Sequence, residues 1–108
     1  LASVKSIDVT RAVRDTTIDN MKIESGQCIG FLDNQLVSTA DTPDRALWRA
    51  LDTASLSDES LVTVYVGADG GWREAEQLAE ELQGQIDDLQ VEVIYGGQPH
   101  YHYLASVE

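Results

Sequence analysis

The first stretch of the chain alternates apolar and polar side chains. Ile7, Val9 and Val13 fall at alternate positions of Ser6–Val13, a period of two that predicts a strand. Arg11 breaks that alternation, which points to a sheet edge or a site. RDTTIDNMKIESGQ reads as a connecting region, with turn residues at Asp19-Asn20 and Ser25-Gly26. CIGFL and QLVST flank Asp33-Asn34, a pair suited to the primed turn of a tight hairpin. A helix start follows: Thr42 can cap free amides, Pro43 fits the first helical position, and Asp44 favours the positive end. Ala46, Leu47, Ala50, Leu51 and Ala54 then form an apolar stripe at helical spacing.

SLSDES predicts a loop and LVTVYV a short buried strand. GADGG turns the chain into a second helix, from Trp72 to Ile86. Its apolar face is predicted as Trp72, Ala75, Leu78, Ala79, Leu82 and Ile86, with Glu74, Glu76, Glu80 and Glu81 mostly opposite. VEVIY and HYHYLASV read as the last strands, joined by a sharp reversal at Gly96-Gly97-Gln98-Pro99. The order β, β-hairpin, α, β, α, β, β predicts an α/β (α+β) sandwich, one mixed β-sheet with two helices packed on it.

The 108 residues bound this to one domain with a modest core. No run approaches the roughly 18 apolar residues of a membrane span. The start at Leu-Ala-Ser-Val has neither Met nor a signal pattern, so the expectation is a piece of a longer protein. A single cysteine, Cys28, excludes an internal disulfide and points to the cytoplasm. Charge changes the picture most. Residues 1–54 carry 8 acidic and 6 basic side chains, a balance of −2, whereas residues 55–108 carry 11 acidic side chains and Arg73 alone, a balance of −10. That second half opposes a phosphate backbone or an anionic membrane, so no nucleic acid and no membrane insertion is expected. It suits a basic protein surface, since complementary fields speed encounter. The plainer alternative is charge that only keeps the domain soluble.

Candidate chemistry is sparse. GADGG stands where phosphate loops stand, after a strand and before a helix. It lacks the Gly-Lys-Ser/Thr end and the Gly-x-Gly-x-x-Gly spacing, and Asp69 would repel the anion, so a helix-capping turn is the reading. His100 and His102, two apart on a predicted strand, would put both rings on one face and could share a metal. Further ligands could be nominated only blindly, as Cys28 or Glu92, so the pair stays a weak metal candidate. Cys28 in an apolar strand reads as a core residue rather than a thiolate. Ser106 has no nucleophile setting, and Asp87-Asp88 reads as a solvated loop. Arg14, Asp15, Thr16 and Thr17, at the end of the first strand, form either a polar site or a network tying that strand end down.

Three stretches carry a family resemblance. YGGQP (Tyr95 to Pro99) with Tyr101, Tyr103 and the ending Ser106-Val107-Glu108 resembles the extreme C-terminus of bacterial dihydroxyacetone kinase-like, or Dak-phosphatase-domain, proteins. This is the family of the ATP-binding subunit of fatty-acid kinase. AVRDTTID (Ala12 to Asp19) and IESGQCIGFLDNQLV (Ile23 to Val37) are similar to the same family's upstream pattern, in the same order. The chain departs at His100 and His102, where the pattern has an aliphatic residue and a tyrosine or proline.

The resemblance implies a C-terminal region, DegV-like in fold, of a protein whose kinase domain lies elsewhere. ATP and Mg²⁺ would belong to that absent domain, with no cofactor and no catalytic residue in this piece. The implied partner is a DegV-type fatty-acid-binding carrier, beside the remainder of its own chain. Contact residues would be Glu74, Glu76, Glu80 and Glu81, with the Gly96, Gly97 and Gln98 turn. That turn reads first as a structural device and second as a contact. The alternative is a half-domain that itself holds a fatty acid or small metabolite. An uncovered sheet edge would also permit a homodimer.

Overall fold

A computed structural model describes residues 4–108. The start at Leu1 lies outside the described residues. The elements are β1 (Lys5–Arg11), β2 (Thr16–Ile18), β3 (Met21–Ile23), β4 (Cys28–Leu32), β5 (Gln35–Ala40), α1 (Pro43–Thr53), β6 (Leu61–Val66), α2 (Trp72–Gln85), β7 (Gln90–Tyr95) and β8 (Tyr103–Val107). Six strands form one sheet in the order β5-β4-β1-β8-β6-β7, and β2-β3 is a separate ribbon. Only β6 and β7 run parallel; the other neighbours are antiparallel. The predicted mixed sheet with two helices on it is therefore the observed architecture.

Both helices lie on one face. α1 covers β1, β4 and β5, and α2 covers β6 and β7. The stripe Ala46, Leu47, Ala50 and Leu51 is fully buried against Ile7, Val9 and Cys28. Each such leucine contributes about 1.5–3 kcal/mol relative to an exposed one. α1 can sit close because β4 offers Gly30: a Cβ there would lie 3.2 Å from the Ala46 carbonyl and 3.4 Å from Ala50 Cβ. Ser38, also buried, donates to that same Ala46 carbonyl at 2.8 Å. Ile29 and Phe31 alternate with Cys28 and Gly30 and so point to the other face. There they meet Leu36, Ile18 and Ile23, a small second core roofed by the β2-β3 ribbon.

The structure corrects several expectations. The connecting region after β1 contains the β2-β3 ribbon. Asp19 and Asn20 both have positive φ (51° and 66°), the geometry of a tight primed turn. Its strands have three residues each, too short for period two to register. Arg11 is not at a sheet edge, because β1 lies between β4 and β8; Val13 lies beyond the strand and is exposed. Thr42 precedes α1 without a side-chain capping bond. Trp72 does not join the buried face of α2 and is 42% exposed. His100 and His102 precede β8 rather than lying in it, so strand alternation does not align them. β7 and β8 are not a hairpin, since β6 lies between them. The Asp33-Asn34 hairpin forms as expected, with φ of 49° and 69° and a register shift between Gly30 and Phe31.

Candidate functional site

The tail loop between β7 and β8 must cross the end of β6, and its sequence serves that crossing. Gly96 and Gly97 both donate to the Val66 carbonyl, at 2.9 and 3.0 Å. Gly97 has φ of 66°, which glycine adopts without cost. Gln98 is turned inward: its side-chain amide donates to the Tyr65 carbonyl at 3.0 Å, and its own carbonyl accepts from Ala68 at 3.0 Å. The amide expected at an exposed tip is thus bound within the fold. Gly67 accepts no more bulk, because a Cβ there would overlap the Tyr101 carbonyl. Tyr103 completes the joint by donating to the Gly71 carbonyl at 2.7 Å, directly before α2. YGGQP and GADGG therefore form one interlocked structure.

Beside that joint lies a cleft lined by Arg11, Asp44, Asp69, Glu74 and His102, where α1 and α2 both begin. Three carboxylates against one arginine make it a poor phosphate cradle, in line with the capping reading of GADGG. His102 Nδ1 lies 3.1 Å from the Asp69 carbonyl. Thr10 donates to the His100 carbonyl at 2.7 Å, which fixes the backbone at that residue's φ of 72°. Among the described residues no three His, Cys, Asp or Glu side chains gather as a metal site would require. Cys28 is fully buried, and desolvation pushes its thiol pKa up, so it stays protonated.

Arg14, Asp15, Thr16 and Thr17 are all exposed on the ribbon side. Asp15 accepts from the Ser25 amide at 2.8 Å, which ties the two ends of the ribbon together. Thr16 and Thr17 are β2 residues paired with Ile23 and Lys22. The second of the two readings, a network fixing the strand end, matches that use of Asp15.

The four helix glutamates do not form one face. At 100° per residue, Glu74 and Glu81 fall on one flank of α2, and Glu76 and Glu80 on the other. Glu76 and Glu80 border a groove between α2 and β7, floored by Ala79, Val91 and Val93 and closed at one end by Trp72. Glu74 instead faces the cleft at the helix starts. On the open face of the sheet, register places Ile94, Tyr65 and Leu104 side by side, with Asp8 next in the row. Burial raises the pKa of Asp8. A third feature, an apolar cleft of about 270 Å³ between the helices, is lined by Trp48, Leu51, Leu56, Leu82 and Ile86. None of these surfaces shows in the sequence except as surplus acid, because each joins residues from separate elements.

Comparison with known proteins adds the family. Residues 1–108 match the FakA-like C-terminal family, the C-terminal part of a fatty acid kinase component. The chain belongs to that family. Among its relatives, the uncharacterized protein SH1689 of Staphylococcus haemolyticus is 36% identical over 108 residues, all of this chain and 20% of the relative. Protein YloV of Bacillus subtilis is 35% identical over 108 residues, again 20% of its length. The uncharacterized protein SAUSA300_1119 of Staphylococcus aureus is 33% identical over 106 residues, covering 98% of this chain and 19% of the relative. The chain thus spans about a fifth of the length of these relatives. The resemblance carried by AVRDTTID and YGGQP holds over the full chain. Among the described residues no helix is long and apolar enough to cross a membrane.

Proposed function

We propose that this FakA-like C-terminal domain is a non-catalytic docking module. Its partner is a DegV-type carrier that presents a bound fatty acid. A separate kinase domain of the parent protein, with its own ATP and Mg²⁺, transfers the phosphoryl group. The acyl carboxylate oxygen attacks the γ-phosphorus, the bond to ADP breaks, and acyl phosphate and ADP result. This chain's share is placement, which converts a bimolecular encounter into a held geometry.

The observation that carries the reading is the α2–β7 groove, an apolar floor of Ala79, Val91 and Val93 between Trp72 and two glutamates. An exposed tryptophan at a groove is the kind of anchor that dominates interfaces. The surrounding −10 half of the chain would steer a basic partner toward it. The buried, protonated Cys28 supports a non-catalytic role. The alternative, a half-domain holding its own fatty acid, would use the cleft at Trp48. At about 270 Å³, that cleft falls below the roughly 300–1,000 Å³ usual for ligand pockets.

Titration calorimetry with an acyl-loaded DegV-type carrier tests the proposal, at about 50 and 300 mM salt, where screening differs strongly. The expected result is binding that weakens sharply at the higher salt. It should weaken further when Glu76 and Glu80 are both changed to lysine, and less when Glu74 and Glu81 are. No binding at either salt would refute docking by this domain.

A further inference from the structure

β7 is the edge of the sheet and pairs on one side only, with β6. Gln90 donates inward to the Ser60 carbonyl and Gly96 inward to the Val66 carbonyl. Strand alternation then turns the amides and carbonyls of Val91, Val93 and Tyr95 outward. Among the described residues no hydrogen bond reaches the amides of those three. The opposite edge is treated differently: on β5, the Arg49 guanidinium covers the Thr39 carbonyl. Protected edges generally carry lysine, proline or a bulge. β7 has none of these over its six residues, Gln-Val-Glu-Val-Ile-Tyr, and pairs in unbroken register with β6.

The surroundings of this edge say what would pair with it. On the helix side stand Trp72, Glu76 and Glu80. On the open side stand Glu92 and Ile94, the latter 40% exposed, and Tyr95 at the strand end is 66% exposed. An added strand would run about 4.8 Å from β7. Its side chains would alternate between Glu76 and Glu80 on one face and Glu92 on the other.

We infer that β7 is a strand-addition site for an extended basic segment of the docking partner. Lysine or arginine on both faces of that segment would meet Glu76, Glu80 and Glu92, and an apolar side chain would lie against Trp72. Main-chain bonds to Val91, Val93 and Tyr95 would supply affinity, and the flanking glutamates the choice of partner. The inference rests on the docking reading and names how the partner is held.

The test uses Val93→Pro, which removes an outward amide and leaves the inward β6–β7 bonds in place, as proline on an edge permits. We expect the variant to keep a cooperative thermal transition and to bind the carrier at least about tenfold more weakly. Hydrogen exchange on the unaltered domain gives an independent readout. Saturation with carrier should protect the Val91, Val93 and Tyr95 amides and leave the already bonded Glu92 amide as slow as before. If the carrier binds both proteins equally and these three amides gain no protection, strand addition is wrong while docking stands. If the carrier fails to bind the unaltered domain at all, the docking reading fails, and this one with it.

Discussion

Changing Tyr103 to phenylalanine isolates the bond that joins the tail strand to the start of α2. Tyr103 is 1% exposed and donates to the Gly71 carbonyl at 2.7 Å. The substitution deletes the hydroxyl and leaves a carbonyl without its partner, a loss of about 1–2 kcal/mol near pH 8. The same burial, reinforced by the carboxylates of Glu74 and Asp44, pushes the phenol up to about 12. In the unfolded chain a tyrosine titrates near about 10. Above that pH the unfolded state sheds the proton and the native state keeps it, so the native state binds more protons and stability falls as pH rises. The slope approaches about 1.4 kcal/mol per pH unit between the two values, and the accumulated loss at pH 11 is about 1.4 kcal/mol. The phenylalanine variant has no such term. Its deficit of about 1.5 kcal/mol at pH 8 should therefore shrink to nearly nothing at pH 11. Urea unfolding of both proteins at pH 8, 10 and 11, followed by the fluorescence of Trp48 and Trp72, measures the difference while other titrations cancel. A constant offset across that range, or no deficit at pH 8, would refute the role given to Tyr103.

Two further outcomes follow from packing. Gly67→Ala should cost about 2–4 kcal/mol in chemical denaturation, because its Cβ meets a fixed backbone carbonyl at Tyr101. Gly84→Ala, in α2 with open space around it, should stabilise by about 0.5–1 kcal/mol in the same assay. The Cys28 thiol should react with a neutral thiol reagent only at the rate at which the protein opens. The rate in dilute urea should rise with the unfolded fraction, and fast modification of the native protein would contradict its burial.

How much of the fold is legible in the chain depends on the range of the interaction concerned. The stripe Ala46, Leu47, Ala50, Leu51 and Ala54 and the Asp33-Asn34 turn are local statements, set by helical spacing and by backbone angles, and both stand in the fold. The β2-β3 ribbon does not show in the sequence because three-residue strands carry too few side chains to display alternation. Its core partners, Ile29 and Leu36, lie further along the chain. Helical spacing alone puts Trp72 in the buried stripe, because it falls near that arc of the helix. It is exposed because β7, the edge strand, leaves nothing beyond to cover it. The loop Gly96-Gly97-Gln98-Pro99 is legible as a reversal, while its path over β6 is not.

By itself the sequence determined the element types, the mixed sheet with two helices, the acidic second half and, through its resemblance, the family. These depend on residue spacing, turn chemistry and composition, which are written along one dimension. Strand order was decided only in three dimensions, where Ile7, Val9 and Tyr103 had to share one core beneath α1 and α2. That requirement set β8 between β1 and β6 and left β7 at the edge. It also divided the α2 glutamates, turning Glu76 and Glu80 toward the exposed strand and Glu74 toward the helix starts. The candidate docking groove exists only because burying the apolar face of α2 fixed the rotation of that helix on the sheet.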